Sequence, residues 1–150
     1  MSLLAKTFAT FFGIGYFPLA PGTAATAAGL GVAYLLKDSP AGYFIFLAFI
    51  VVVGVPACTY LEKVLNKKDP GIVVIDEVAG ILIALAGLPL NWPLMISGFF
   101  LFRAFDMFKI YPINKIEAMP GGWGIMLDDV MAGVYTNVIL QIALRWAGGI

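Results

Sequence analysis

The sequence predicts an all-α fold: a polytopic membrane helical bundle with four to five transmembrane helices and an interfacial N-terminal segment. Three observations carry this. The 150-residue chain is 61% hydrophobic and only 12% charged, whereas soluble domains run near ~45–50% and ~25%. Its mean hydropathy is +0.96. Its apolar residues are gathered into runs near the length of a bilayer crossing, roughly 17–25 residues, separated by short polar breaks. A soluble domain of this size cannot hide so much apolar surface, so lipid must cover it. The length suits a single domain over residues 1–150.

The N-terminal segment, Met1 to Ala20, holds Lys6 and then Phe11, Phe12, Tyr16 and Phe17 among glycines and prolines. It lacks a long uninterrupted apolar stretch before a small-residue cleavage site, so it reads as mature protein. Its aromatics suit a membrane surface. The first span, Pro21 to Leu36, is rich in Ala, Gly and Thr, which favours close helix packing over lipid contact. The second, Ala41 to Thr59, carries no charge. The third, Ile72 to Leu88, and the fourth, Trp92 to Phe108, carry charges inside apolar runs. The fifth, Val130 to Ala147, is charge-free until Arg145.

The breaks set an orientation. "EKVLNKKDPG" and "KIYPINKIEAMPGGWG" hold five lysines between them, and Lys6 precedes the first span. Five spans place all of these on one side, which the positive-inside rule makes cytoplasmic. Lys37 and Arg145 fall toward the other side. Lys63, Lys67 and Lys68 read as a solvated loop.

Several function classes drop out. Net charge is zero, so no basic field recruits nucleic acid. The chain has no histidine, the commonest general base and transition-metal ligand. The lone Cys58 forbids an internal disulfide, and without a histidine to activate it, it is a poor nucleophile.

The charges inside the apolar runs are the informative feature. Asp76 and Glu77 start the third span. Arg103, Asp106 and Lys109 end the fourth at i, i+3 and i+6 spacing. Asp128 and Asp129 open the fifth, and Pro21, Gly22 and Thr23 open the first. All fall at one depth of one leaflet. Such groups cost roughly 2.5–3.5 kcal/mol each in a membrane helix and face a partner or a wet cavity. Each has a plain structural reading too. Asp128 could cap the last helix. Asp76 could pair with Arg103. Arg103, Asp106 and Lys109 could form local pairs. One shared metal–phosphate site accounts for all of them together. Clustered carboxylates without His or Cys suit Mg²⁺. Arg103 and Lys109 suit phosphate oxygens. The "PGT" helix start offers free N–H groups and a hydroxyl to an anion, through Gly22 and Thr23. "GGWG" allows close backbone approach at Gly122. A transporter or channel with a one-sided acidic ion site is the alternative. It would place its carboxylates nearer the bilayer midplane, on a route open to both sides.

The segments "GYFPLAPGTAAT" (15–26), "DPGIVVIDEVAG" (69–80), "FRAFDMFKIYPI" (102–113) and "GGWGIMLDDVMAG" (121–133) together resemble the phosphatidylglycerophosphatase A family. These bacterial lipid phosphatases convert phosphatidylglycerophosphate to phosphatidylglycerol. The resemblance spans nearly the whole chain. Family members often carry a histidine near the third span and another before the Gly-Gly pair, where this chain reads "NKKDPG" and "EAMPGG". The resemblance implies a Mg²⁺-dependent phosphomonoesterase in the bacterial cytoplasmic membrane, facing the cytoplasm, with a phospholipid substrate in the bilayer. On that reading Asp76, Glu77, Asp128 and Asp129 hold metal. Arg103 and Lys109 hold phosphate, aided by Gly22, Thr23 and Gly122. Asp106 orients Arg103 or joins the metal shell. Asp76, Glu77, Arg103, Asp106 and Asp129 form the catalytic set.

Overall fold

The computed structural model describes residues 2–148; Met1, at the head of the N-terminal segment, lies outside them. The described residues are all helical or turn, with no strand. Helix α1 (Ser2–Ala9) is followed by a 3₁₀ turn at Ile14–Tyr16. Then come α2 (Pro21–Leu35), α3 (Pro40–Val64), α4 (Ile75–Leu85), α5 (Trp92–Phe108), the short α6 (Ile113–Ile116) and α7 (Gly122–Ala147).

The polar breaks act as helix starts. Proline occupies the first turn of α2, α3 and α5, where its missing N–H costs no hydrogen bond. Ser39 Oγ accepts from the Gly42 amide at 3.2 Å, and Asn91 Oδ1 accepts from the Leu94 amide at 3.0 Å. Each satisfies one of the free donors at a helix N-terminus.

Two helices, Pro40–Leu65 and Gly122–Ala147, are long and apolar enough to cross a membrane. The third expected span is different. Helix α4 has 11 residues, about 16 Å at 1.5 Å per residue, against a hydrocarbon core of ~30 Å. It is the buried axis of the bundle, packed against α7, α2, α3 and α5. Ile75, Val78, Ala79, Ile81, Leu82, Ala84 and Leu85 are all buried. Its long apolar run therefore serves protein packing on every side.

Small residues permit that packing. A Cβ on Gly133 of α7 would collide with the Gly80 carbonyl of α4, and one on Gly29 of α2 would meet the Ile81 side chain. Close backbone approach through small residues is how helices pack where lipid supplies no hydrophobic drive. The C-terminal carbonyls of α4, which lie in a buried to part-buried setting, are met by side chains. The two N–H groups of Asn137 Nδ2 are shared among three carbonyls, Ile83 O at 3.1 Å, Ala84 O at 3.0 Å and Ala86 O at 2.9 Å. Tyr43 Oη donates to Leu82 O at 2.5 Å. At the other end, the Val74 amide donates to Ala9 O at 2.9 Å, tying the end of α1 to the start of α4.

Helix α7 begins at Gly122 and not at Val130. The glycines there read as a loop, yet they are helical because they pack tightly. A Cβ on Gly122 would collide with the Val55 carbonyl of α3, and one on Gly124 with the Met119 carbonyl. Only Gly121, at φ 65°, uses glycine's freedom of conformation.

Candidate active site

Five chain segments meet at one end of the bundle around a cavity of about 240 Å³. The first turn of α2 supplies Pro21, Gly22 and Thr23. The first turn of α4 supplies Asp76 and Glu77. The last turn of α5 and its cap supply Arg103, Asp106 and Lys109, and α7 supplies Asp128 and Asp129. The α3–α4 connection adds Asp69, Gly71 and Val73.

The cap reading of Asp128 does not hold: the N-cap of α7 is Gly121, and Asp128 lies inside the helix. Asp128 and Asp129 are buried, as is Asp76. Asp128 Oδ1 accepts from the Asp129 amide at 2.8 Å, and its Oδ2 takes Lys109 Nζ at 2.5 Å. Lys109 also pairs with Glu117 at 3.4 Å. Arg103 Nη1 donates to Asp106 Oδ2 at 2.6 Å and lies 3.6 Å from Glu77 Oε1. Asp76 is thus not the partner of Arg103.

Gly22 is explained by contact. A Cβ there would run into the Glu77 carboxylate and reach 3.3 Å from Arg103 Nη1. Its absence lets the N-terminus of α2 close on the acidic cluster. That end has no side-chain cap, so its first N–H groups remain available to an anion.

Two overlapping carboxylate sets could each hold a cation. Asp76, Asp128 and Asp129 each offer an oxygen within 4.8 Å of the others, and so do Glu77, Asp106 and Asp129. Asp76 Oδ1, Glu77 Oε2 and Asp129 Oδ2 are buried with no hydrogen-bond partner. A buried carboxylate oxygen without a partner costs several kcal/mol. A hard cation with oxygen ligands removes that cost, so the residues fit Mg²⁺.

Gly122 is not brought to the cavity. Its amide donates to Thr59 Oγ1 at 2.8 Å, on the α3 side. Asp69 is the residue that sequence reasoning passed over. It sits in left-handed conformation at φ 47°, directly before Pro70. The Asp-Pro-Gly turn was the available signal, since it stands just ahead of "IVVIDE". Asp69 is exposed as a residue, but partial desolvation of its carboxyl at the cavity edge raises its pKa above the ordinary carboxylate value, while Lys109 draws it back down.

A helical bundle with two helices long and apolar enough to cross a membrane, carrying a polar pocket of carboxylates, arginine and lysine at one end, fits a class: membrane enzymes that work on charged lipid headgroups. The family model described as Phosphatidylglycerophosphatase A matches residues 7–144, and the chain belongs to that family. It is a phosphoric monoester hydrolase of phospholipid metabolism. The transporter alternative gives way to this. Among relatives, "Putative phosphatidylinositol-3-phosphatase" of Bacteroides thetaiotaomicron is 38% identical, over 99% of this chain and 98% of its own. "Phosphatidylglycerophosphatase A" of Escherichia coli is 36% identical, over 93% of this chain and 83% of its own. The protein of that name from Haemophilus influenzae is also 36% identical, over 90% of this chain and 85% of its own. No solved structure matches the chain.

Proposed function

We propose that the protein hydrolyses the terminal phosphate monoester of phosphatidylglycerophosphate, giving phosphatidylglycerol and inorganic phosphate. The reaction takes place at the cytoplasmic leaflet of the bacterial inner membrane and depends on Mg²⁺. Membrane attachment is multi-pass: α2 and α5 join α3 and α7 in crossing, and α4 runs inside the bundle they form. The observation that carries the proposal is the pair of carboxylate sets sharing Asp129, with three buried unpartnered oxygens among them and Arg103 beside Glu77.

Bound Mg²⁺ supplies charge stabilisation at phosphate oxygens and lowers the pKa of a coordinated water. Asp76, Glu77, Asp128 and Asp129 hold it. Arg103, fixed by Asp106, turns its remaining N–H groups toward the phosphate. Thr23 and the free amides of α2 serve the same anion from beside Arg103. Lys109 acts chiefly by holding Asp128, since its ammonium is already engaged there.

A second substrate is favoured by one observation: the Bacteroides relative, matched over 99% of this chain, bears the name of a phosphatidylinositol 3-phosphate phosphatase. The test is phosphate release by the purified protein from each lipid, with Mg²⁺ and then with excess chelator. Release should require Mg²⁺ and fall at least about a hundredfold in Asp129→Asn and Asp76→Asn. Chelator-resistant release, or near-normal rates in variants that still fold, would sink the proposal.

A further inference from the structure

Beside the catalytic cavity lies a second one of about 400 Å³, lined by Lys68, Asp69, Asn114, Glu117 and Ala118. Asp69 lines both, so the two meet at a single side chain. Their chemistries differ. The catalytic cavity sets carboxylates against Arg103 and Lys109. The annex mixes an ammonium, two carboxylates and a neutral amide.

That mixture selects among ligands. No large apolar side chain lines the annex, so an acyl chain gains nothing there. Two carboxylates oppose a second phosphate group. Hydroxyl groups both donate and accept, and they match carboxylate acceptors placed beside amide and ammonium donors. The walls are also held in register with the chemistry. Glu117 is tied to Lys109 at 3.4 Å, and Lys109 is tied to Asp128. Asp69 is set by the left-handed backbone ahead of the buried Pro70.

We propose that the annex is a polyol subsite, in which Asp69 and Asn114 bind the hydroxyls of the alcohol that carries the phosphate. This rests on the phosphomonoesterase reading above and adds to it the part of the headgroup that sets specificity. Glycerol and inositol share the required chemistry. The volume of the annex leaves room for either.

The test uses full-length protein in detergent with Mg²⁺ and measures binding by calorimetry. The probes are inorganic phosphate, glycerol 3-phosphate and inositol 3-phosphate. The wild type should bind at least one polyol phosphate about tenfold tighter than inorganic phosphate, as one or two added hydrogen bonds to charged groups provide. The tighter of the two identifies the polyol. Asn114→Leu, which fills the annex from an exposed position on α6, should erase the preference and leave phosphate affinity unchanged. Asn114→Ala should reduce it, as should Asp69→Asn. Equal binding of all three probes by the wild type overturns the subsite. So does a preference that survives Asn114→Leu, or an equal loss of phosphate binding in that variant. Polyol preference without phosphate release from any lipid would instead defeat the hydrolase reading and leave the subsite standing.

Discussion

Lys109 holds two carboxylates of different kinds, the buried Asp128 and the half-exposed Glu117. The sequence suggested a phosphate ligand, because a lysine three residues beyond Asp106 faces the same way. Its contact with Asp128 comes from 19 residues away, which no local spacing reveals. Removing it strands a buried charge. Lys109→Met should therefore destabilise the protein by about 3 kcal/mol, read as a lower unfolding temperature in detergent. Lys109→Met combined with Asp128→Asn should recover much of that loss, because the stranded charge is gone. Arg103 behaves differently, as a fork with donors to spare. Arg103→Lys should keep the fold and cut phosphate release by about a hundredfold, since a point charge cannot serve Asp106 and substrate together.

At the scale of the helix, α4 shows what was legible and what was not. Its acidic first turn was readable as part of a site, because Asp76 and Glu77 stand out in an apolar run. Its length was not. Hydropathy cannot distinguish residues buried in protein from residues bathed in lipid, so "IVVIDEVAGILIALAGL" reads as a crossing. The helix ends early at Ala86, and Asn137 receives its carbonyls. That pairing joins residues more than fifty positions apart. Asn137→Leu should cost about 2–3 kcal/mol, the Ala84 and Ala86 carbonyls losing their side-chain donor in a part-buried setting, measured by the same unfolding assay. The start of α7 was misread for the opposite reason. Gly122 and Gly124 look like helix breakers, but contact with α3 and the α6–α7 connection overrides their poor intrinsic propensity. The starts of α3 and α5 are set locally instead, by the Ser39 and Asn91 caps.

For the whole molecule, the convergence of four polar segments on one end was the most informative prediction, and a fifth segment with Asp69 joins them. The same reasoning predicts sidedness. Cys58 is fully buried, so the native chain offers a thiol-free background to impermeant reagents. Single cysteines at Lys67 and Lys115 should be labelled from the cytoplasmic face, and at Lys37 and Asn91 from the opposite face. Labelling of positions 37 and 67 from the same face would break the multi-pass arrangement.

The clasp of Asn137 on α4 also bears on biogenesis. The residues it protects emerge from the ribosome some fifty positions before it does. A nascent chain that stops short of α7 carries bare carbonyls into the membrane, with no local partner for them. Such fragments should be unstable in the bilayer and become targets of membrane proteases. The bundle can close only when its last helix arrives, so the acidic cluster first becomes whole once α7 has packed against α4.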